Sequence, residues 1–328
     1  MTVLVTGGAG YIGSHMVLRL VEDGAHVIVL DDLSTGFDWA VHPDAQLFRG
    51  SIGDKALVSG LIKDHEIAEI VHFAGSIIVP ESVSDPLKYY RNNTGHSRTL
   101  IEAAVEGGVK RFVFSSTAAV YGMTGLEPVG ETYPLNPISP YGRSKLMTEM
   151  MLQDCEVAHG LRYGILRYFN VAGADPEMRS GQSTPVATHL IKVAAQTALG
   201  MRDHMDLFGS DYPTPDGTCI RDYIHVSDLA DAHAALLARM RASDESFVLN
   251  CGYGRGYSVR EVIDTVKEVS GVDFDVRVAP PRAGDPAAIV AAADKIRTEL
   301  DWTPQHEALD EIVAHALAWE KRLQVRNR

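Results

Sequence analysis

Thr2-Val3-Leu4-Val5-Thr6-Gly7-Gly8-Ala9-Gly10-Tyr11-Ile12-Gly13 decides the fold. A short apolar run leads into glycines at 7, 10 and 13. Ile12, Met16, Val17, Leu20 and Val21 then fall at helical spacing, and Gly24 can end that helix. Strand, glycine turn and helix in this order make a pyrophosphate cradle. Glycines allow a tight turn and close backbone approach, and the helix N-terminus offers unpaired N–H groups and the positive end of its dipole. His26-Val27-Ile28-Val29-Leu30 reads as a second buried strand that ends at Asp31. A carboxylate about 20 residues beyond the turn can accept hydrogen bonds from a ribose diol. With Asp32 beside it, Asp31 would repel a 2′-phosphate, so NAD is expected rather than NADP.

The alternation continues outward from this unit. Strands are expected near Ile67–Phe73, at Arg111–Phe114 and at Tyr163–Arg167, with helices near Leu87–Glu106 and after Tyr141. Near-continuous apolar strands between amphipathic helices indicate a parallel sheet covered on both faces. Beyond Asn170 the character changes. Segments 174–185 and 209–219 are loop-prone, and helices are expected at 186–200, 227–241, 258–270 and 308–324. The expected fold class is α/β: a Rossmann-type doubly wound parallel sheet with a smaller, loop-rich C-terminal substrate domain. Residues 1–174 form the NAD-binding domain, to which about 222–250 return, and 175–328 bind mainly substrate.

Bulk properties narrow the function. The 328 residues carry 30 basic and 43 acidic side chains, a net charge of −13, which argues against nucleic-acid binding. Cys155, Cys219 and Cys251 form no CxxC pair, and the 13 histidines no HExxH, so neither a disulfide framework nor a metal site is expected. The N-terminus shows no leader pattern, and no apolar run approaches the ~20 residues that span a bilayer, so a cytoplasmic protein is expected.

Pro140-Tyr141-Gly142-Arg143-Ser144-Lys145 carries the chemistry. Proline suits a helix's first turn, which puts Tyr141 and Lys145 on one face. An adjacent ammonium should lower the phenol's pKa, making Tyr141 a general base near neutrality. Phe114-Ser115-Ser116-Thr117 ends a strand at the carboxyl edge of the sheet, where ligands bind in open α/β folds, and Thr117 can relay a proton or hold a substrate hydroxyl.

TGGAGYIGSH at the start, HFAG at 72–75, ESVSDPLKYYRNN at 81–93, FSSTAAVYG at 114–122, SPYGRSK at 139–145, LRYFNVAGA at 166–174, FGSDYPTPDGTCIRDYIHVSDLADAH at 208–233 and RAGDP at 282–286 together resemble the extended short-chain dehydrogenase/reductase superfamily. Within it they resemble the UDP-glucose 4-epimerase family, along nearly the whole chain. The resemblance implies NAD-dependent 4-epimerisation of UDP-hexoses, interconverting UDP-glucose and UDP-galactose through a transient 4-keto sugar. It makes Tyr141 the base, Lys145 its electrostatic partner and Thr117 the Ser/Thr of the site. NAD contacts then fall to Gly7, Gly10, Tyr11, Ile12, Gly13, Asp31, Asp32, Leu33, Ser34, Thr35, Gly36, Ser51, Ile52, Phe73, Ala74, Gly75, Ile77, Asn92, Ser115, Tyr141, Lys145 and Tyr168. Substrate contacts fall to Thr117, Tyr141, Asn170, His189, Leu190, Phe208, Arg221, Arg282, Asp285 and Ile289, with the arginines on the diphosphate, Asp285 on the uridine ribose and Phe208 on the uracil. A homodimer is implied, with no membrane or nucleic-acid partner.

Three positions depart from the family pattern. Ser51 stands where an aspartate often bonds the adenine, and Ile77 where many members carry a lysine. Ile289 gates the sugar pocket and is intermediate in size, which leaves N-acetylated sugars open. UDP-pentose or UDP-N-acetylhexosamine 4-epimerases and decarboxylases begin with the same C4 oxidation and stay as alternatives. Ala118 and Ala119 after Thr117 disfavour a 4,6-dehydratase, which needs an acid–base pair there. A non-catalytic NAD-sensing protein is the remote alternative, since such proteins lose the tyrosine or the lysine.

Overall fold

The glycine turn joins the first strand and helix of a computed structural model that describes residues 1–184, 188–282 and 284–326. In chain order the first elements are β1 (Thr2–Thr6), α1 (Tyr11–Glu22), β2 (His26–Asp31), β3 (Gln46–Arg49), α2 (Lys55–Asp64), β4 (Glu69–His72), α3 (Val79–Ser84), α4 (Pro86–Tyr89), a π-helical stretch (Tyr90–Gly95), α5 (His96–Glu106), β5 (Arg111–Ser115), α6 (Pro140–His159), β6 (Arg162–Tyr168) and β7 (Asn170–Ala172). There follow α7 (Leu190–Ala198), β8 (Met205–Phe208), β9 (Ile220–His225), α8 (Val226–Ser243), β10 (Phe247–Cys251), β11 (Gly256–Ser258), α9 (Val259–Ser270), β12 (Val276–Ala279), β13 (Ala288–Ile289), α10 (Asp294–Leu300) and α11 (Leu309–Arg326).

Seven strands form one sheet in the order β10-β6-β5-β4-β1-β2-β3, every pair parallel. Parallel strands need crossover helices, so both faces are covered and the central strands are mostly apolar. Val3, Val5, Val27, Val29, Val71 and Val113 look to one face, where Met16 and Val17 of α1 and Leu236 and Met240 of α8 join their cluster. Leu4, Ile28, Leu30, Ile70, Phe112 and Phe114 look to the other, with Leu61 of α2, Leu100 of α5 and Leu152 of α6. The order reverses between β1 and β4, and the crevice outside their carboxyl ends is where such sheets bind ligands. A smaller layer stands over that edge. In it β9 pairs with β7, β11 and β13, and β8 pairs with β12.

Two elements differ from the sequence pattern. The helix expected near Leu87–Glu106 runs from Pro86 to Glu106 but is interrupted by the π-helical turn. Thr148 of α6 donates to the Asn93 carbonyl at 3.2 Å, so the distorted turn is tied to the neighbouring helix. Of the helix expected over 186–200, Leu190–Ala198 forms. Residues 185–187 of the expected loop and helix, and Ala283 within RAGDP, lie outside the described residues.

Candidate active site

The glycine turn is shaped by what surrounds it. Gly7 has φ +72°, and a Cβ there would lie 2.6 Å from the Ala74 nitrogen just past β4. A Cβ on Gly13 would lie 2.1 Å from the Gly7 carbonyl oxygen. Gly10 caps α1 with no side-chain hydrogen bond, and the first turn holds no acidic residue, so its N–H groups face the crevice uncapped. Asp31 is buried at the end of β2, where Oδ2 accepts from the Ala9 amide at 2.9 Å and Oδ1 from the Leu33 amide at 2.8 Å. Burial raises its pKa, and those two donors oppose the rise. The carboxylate keeps free lone pairs for a diol. Asp32 accepts from the Ser34 amide, and Gly36 lies so close to Ala9 that a Cβ would meet its backbone at 2.8 Å, which folds the 31–36 loop over the turn. The fit to a dinucleotide is therefore good: an uncapped helix end, a strand-end carboxylate and glycines whose Cβ atoms would fill the cradle.

Phe73, Ala74 and Gly75 follow β4 on the far side of the crevice, with the Phe73 ring 4.9 Å from that of His233. The Tyr11 hydroxyl donates to the Gly173 carbonyl at 2.7 Å, tying the turn to the loop after β7. Ser51 accepts from the Gly53 amide at 3.1 Å, Ile52 is buried, and Ile77 is exposed. Asn92 donates to the Ser76 hydroxyl at 2.9 Å. Its neighbour Asn93, which sequence reasoning passed over, does more. It accepts from the Ser76 amide at 2.7 Å and donates to the Ser76 carbonyl at 2.9 Å and the Ser144 hydroxyl at 3.1 Å, joining the cofactor-side loop to α6.

Helix α6 starts where it does because Ser139 accepts the Gly142 amide and Pro140 fills the first turn. A Cβ on Gly142 would lie 2.6 Å from the Ala119 carbonyl, so the helix end sits hard against the turn that begins at Thr117. Tyr141 is thereby placed beside Thr117 and Tyr168, with Tyr89 edge-on at 6.4 Å. The Thr117 oxygen accepts the Ala119 amide at 3.1 Å, which leaves its proton free to donate to the phenol. Ser115 Oγ is buried beside this group, next to the Tyr168 hydroxyl. Lys145, 3% exposed, donates to the Ser115 carbonyl at 2.9 Å.

The electrostatics differ from the sequence expectation. Burial pushes the Tyr141 phenol well above its ordinary value, outweighing the Thr117 hydrogen bond that favours the phenolate. Burial also pulls Lys145 down to about 8, opposed by Glu149. A phenol so placed needs further positive charge before it can work as a base.

Of the substrate positions, Arg221 leaves β9 nearly buried and pairs with Asp285. The two residues expected on different parts of a nucleotide thus hold each other. Arg282 lies over the Phe208 ring at 4.0 Å. Ile289 on β13 is in register with Arg221 on β9 and belongs to the apolar cluster of Ala118, Tyr121 and Phe169, which brings it near Thr117. Asn170, His189 and Leu190 line one small cavity of about 20 Å³ with Gln182, Lys192, Trp319 and Glu320. His189 Nδ1 lies 2.6 Å from Gln182 Nε2.

The chain's likeness to known proteins agrees with this geometry. A UDP-glucose 4-epimerase of Azospirillum brasilense is 56% identical over 322 residues, which cover 98% of this chain and 92% of that protein. The UDP-glucose 4-epimerase structure from Brucella ovis in complex with NAD superposes with a TM-score of 0.94 at 42% identity, covering 97% of each chain. The UDP-Glc/GlcNAc 4-epimerase of Campylobacter jejuni superposes with a TM-score of 0.86 at 48% identity, covering 98% of this chain and 99% of that one. The family described as NAD dependent epimerase/dehydratase matches residues 3–252, from β1 through the last strand of the large sheet. With the uncapped glycine turn, the Asp31 carboxylate and the Tyr141–Lys145 helix all within that match, the chain belongs to the NAD dependent epimerase/dehydratase family.

Proposed function

We propose that this chain is an isomerase that inverts C4 of UDP-hexoses, interconverting UDP-glucose and UDP-galactose with bound NAD. The observation that carries the reading is Tyr141, buried, beside the Thr117 hydroxyl and one helical turn before buried Lys145, at the crevice the glycine turn opens onto. Tyr141 removes the proton of the sugar's 4-hydroxyl, directly or through Thr117. The positive charge of Lys145 stabilises the phenolate, whose negative charge burial alone disfavours. Bound NAD supplies reversible hydride acceptance at C4, so no net oxidation results. Gly7, Gly10, Gly13, Asp31 and the loops at 32–36 and 73–75 hold it through every cycle.

The 4-keto sugar must turn its other face before it is reduced, so the uridine diphosphate is held firmly and the hexose loosely. Arg221 and Arg282 suit the diphosphate because a guanidinium pairs with phosphate oxygens in two directions. Substrate binding then opens the Arg221–Asp285 pair, and Asp285 turns to the uridine ribose while Phe208 packs on the base. Asn170, His189 and Leu190 complete the sugar-nucleotide side. Residues 1–174 with about 222–250 act as the cofactor half, and 175–328 mainly as the substrate half. We also propose a cytoplasmic homodimer. Exposed Val79, Val83 and Leu87 of α3 and α4, with Met147 and Met150 of α6, give two copies an apolar face to share, and no described helix is long and apolar enough to cross a membrane.

Turnover of UDP-galactose by Tyr141→Phe tests the assignment. A loss of at least about a hundredfold, the usual worth of a general base, is expected with NAD still bound, and near-normal turnover would sink it. Ile289, intermediate in size, together with the likeness to the Campylobacter enzyme, favours UDP-N-acetylgalactosamine as a second substrate for the same assay.

A further inference from the structure

Tyr141, Lys145 and Glu149 lie one helical turn apart on a single stripe of α6 and are 6%, 3% and 1% exposed. The proposed chemistry uses the first two and leaves the carboxylate unexplained. A charge buried this deeply has to be paired. Arg167 of β6 donates to Glu149 from Nε at 3.1 and 3.2 Å and from Nη2 at 2.6 Å, and Ser116 Oγ also donates to it. Ser116 follows Ser115, whose carbonyl receives the Lys145 ammonium. The end of β5 therefore fixes both the lysine and the carboxylate behind it. Arg167 is held in turn by the Tyr121 hydroxyl at 3.1 Å.

Among the described residues, the other groups around Lys145 supply no negative charge. From β5 come the Ser115 carbonyl and the Phe114 ring, 4.8 Å from Nζ. From β4 comes His72, kept neutral because burial lowers it to about 3. Around its stripe neighbours lie Arg167 of β6, bonded to Glu149, and Tyr168 of β6 and Tyr89 of α4, both beside Tyr141. Burial and Glu149 are the two influences that set the lysine's protonation, and they oppose each other.

We infer that Glu149 is a positioning residue for the reaction: its carboxylate, fixed by Arg167 and Ser116 one turn beyond Lys145, holds that lysine as the ammonium partner of Tyr141. Its role presupposes the Tyr141–Lys145 chemistry proposed above. Lys145 already sits at about 8 with Glu149 in place, close to working pH. Loss of the carboxylate's charge should bring it down further.

The test is UDP-galactose turnover by the NAD-bound enzyme across about pH 6 to 9 for wild type, Glu149→Gln, Glu149→Asp and the double variant Glu149→Met/Arg167→Met. The double variant replaces both ions with apolar groups and should fold even if a stranded Arg167 unfolds Glu149→Gln. In Glu149→Gln and in the double variant the alkaline limb moves down, so the loss relative to wild type grows several-fold from neutral to alkaline pH. Glu149→Asp keeps the wild-type limb even where turnover falls. A loss by one constant factor at every pH, as a purely structural role would give, overturns the inference. Tyr141→Phe in the same assay separates the two claims. If it turns over normally, the tyrosine–lysine chemistry itself is wrong. If it is inactive while the Glu149 variants run parallel to wild type, only the role of Glu149 falls.

Discussion

Gly10 and Gly13 stand three residues apart in one turn, yet the protein needs them for different reasons. A Cβ on Gly13 would collide with the Gly7 carbonyl at 2.1 Å, so the fold itself forbids a side chain there. At Gly10 the nearest atom would be 3.3 Å away, and φ of −82° suits any residue. The Gly7 carbonyl need give by only a few tenths of an ångström, so a ligand at the helix end is what that Cβ would chiefly obstruct. Gly10→Ala should therefore change Tm by no more than about 2–4 °C, the effect of roughly 1 kcal/mol in a domain of this size. It should also weaken NAD retention at least tenfold. Gly13→Ala should lower both together. Calorimetry with nucleotide assay of the purified variants decides this, and a Gly10→Ala protein that keeps NAD as tightly as wild type would contradict the cradle. Both glycines are legible from spacing alone, but which one serves the ligand is not, because it depends on backbone atoms the sequence does not place. Tyr141 teaches the same lesson. Its partner Lys145 is evident from spacing, while the burial that raises the phenol is not.

Strand β9 shows how an element divides its two faces between structure and site. Arg221 points toward Asp285, and the next residue, Asp222, points the other way and is fully buried. Its Oδ1 accepts the Tyr253 amide at 2.9 Å, and its Oδ2 accepts the Gly254 and Ala291 amides at 2.9 and 3.2 Å. One carboxylate thus gathers the loop after β10 and the chain beyond β13 onto β9, which fixes the frame for Arg221 and Ile289. Asp222→Asn turns an NH2 toward at least one of these donors and should cost about 1–3 kcal/mol for each amide left unpaired. Burial also raises the Asp222 pKa to about 6. A folded-state value above the ordinary one adds stability that is full below about pH 4 and is lost as pH rises through 6, a swing of roughly 3 kcal/mol. Denaturation midpoints at both ends of that window should show the Asn variant's deficit larger at the acid end, and a deficit independent of pH would refute the linkage. A parallel sheet covered on both faces could be anticipated from apolar runs alternating with amphipathic helices. Asp222 could not, because its partners lie some 30 to 70 residues on. Helix α6 was half legible for a related reason. Its buried face includes Ser144, Lys145, Thr148 and Glu149, and an apolar-periodicity reading assigns such residues to solvent. Extending the Tyr–Lys stripe one more turn is the signal that would have found Glu149.

At the scale of the molecule, a buried ion pair ties the last helix to α7, on the proposed substrate side. Lys192 of α7 and Glu320 of α11 are 4% and 3% exposed and bonded to each other. Lys192 also donates to the Gln182 carbonyl at 2.6 Å, and the Gln182 side chain meets His189. Gln196 donates to Glu320 at 3.3 Å and accepts from Arg202 at 2.8 Å. Trp319 packs so closely on Gly181 that a Cβ there would lie 2.5 Å from the ring. The sequence offers Lys192 and Glu320 as two ordinary charges 128 positions apart, so nothing local marks them as partners. Their consequence separates stability from binding. Lys192→Met strands a buried carboxylate and should cost about 3–5 kcal/mol, whereas Lys192→Met/Glu320→Met removes both charges and should recover most of that loss. The double variant still leaves the Gln182 carbonyl without its donor and His189 less firmly held. Its KM for UDP-galactose should therefore stay several-fold above wild type, while its NAD content, set by the glycine turn across the crevice, stays at wild-type level. A double variant that recovers stability and KM together would show that the pair only anchors α11. One whose KM stays raised despite restored stability would show that the C-terminal helix positions the substrate side through Lys192.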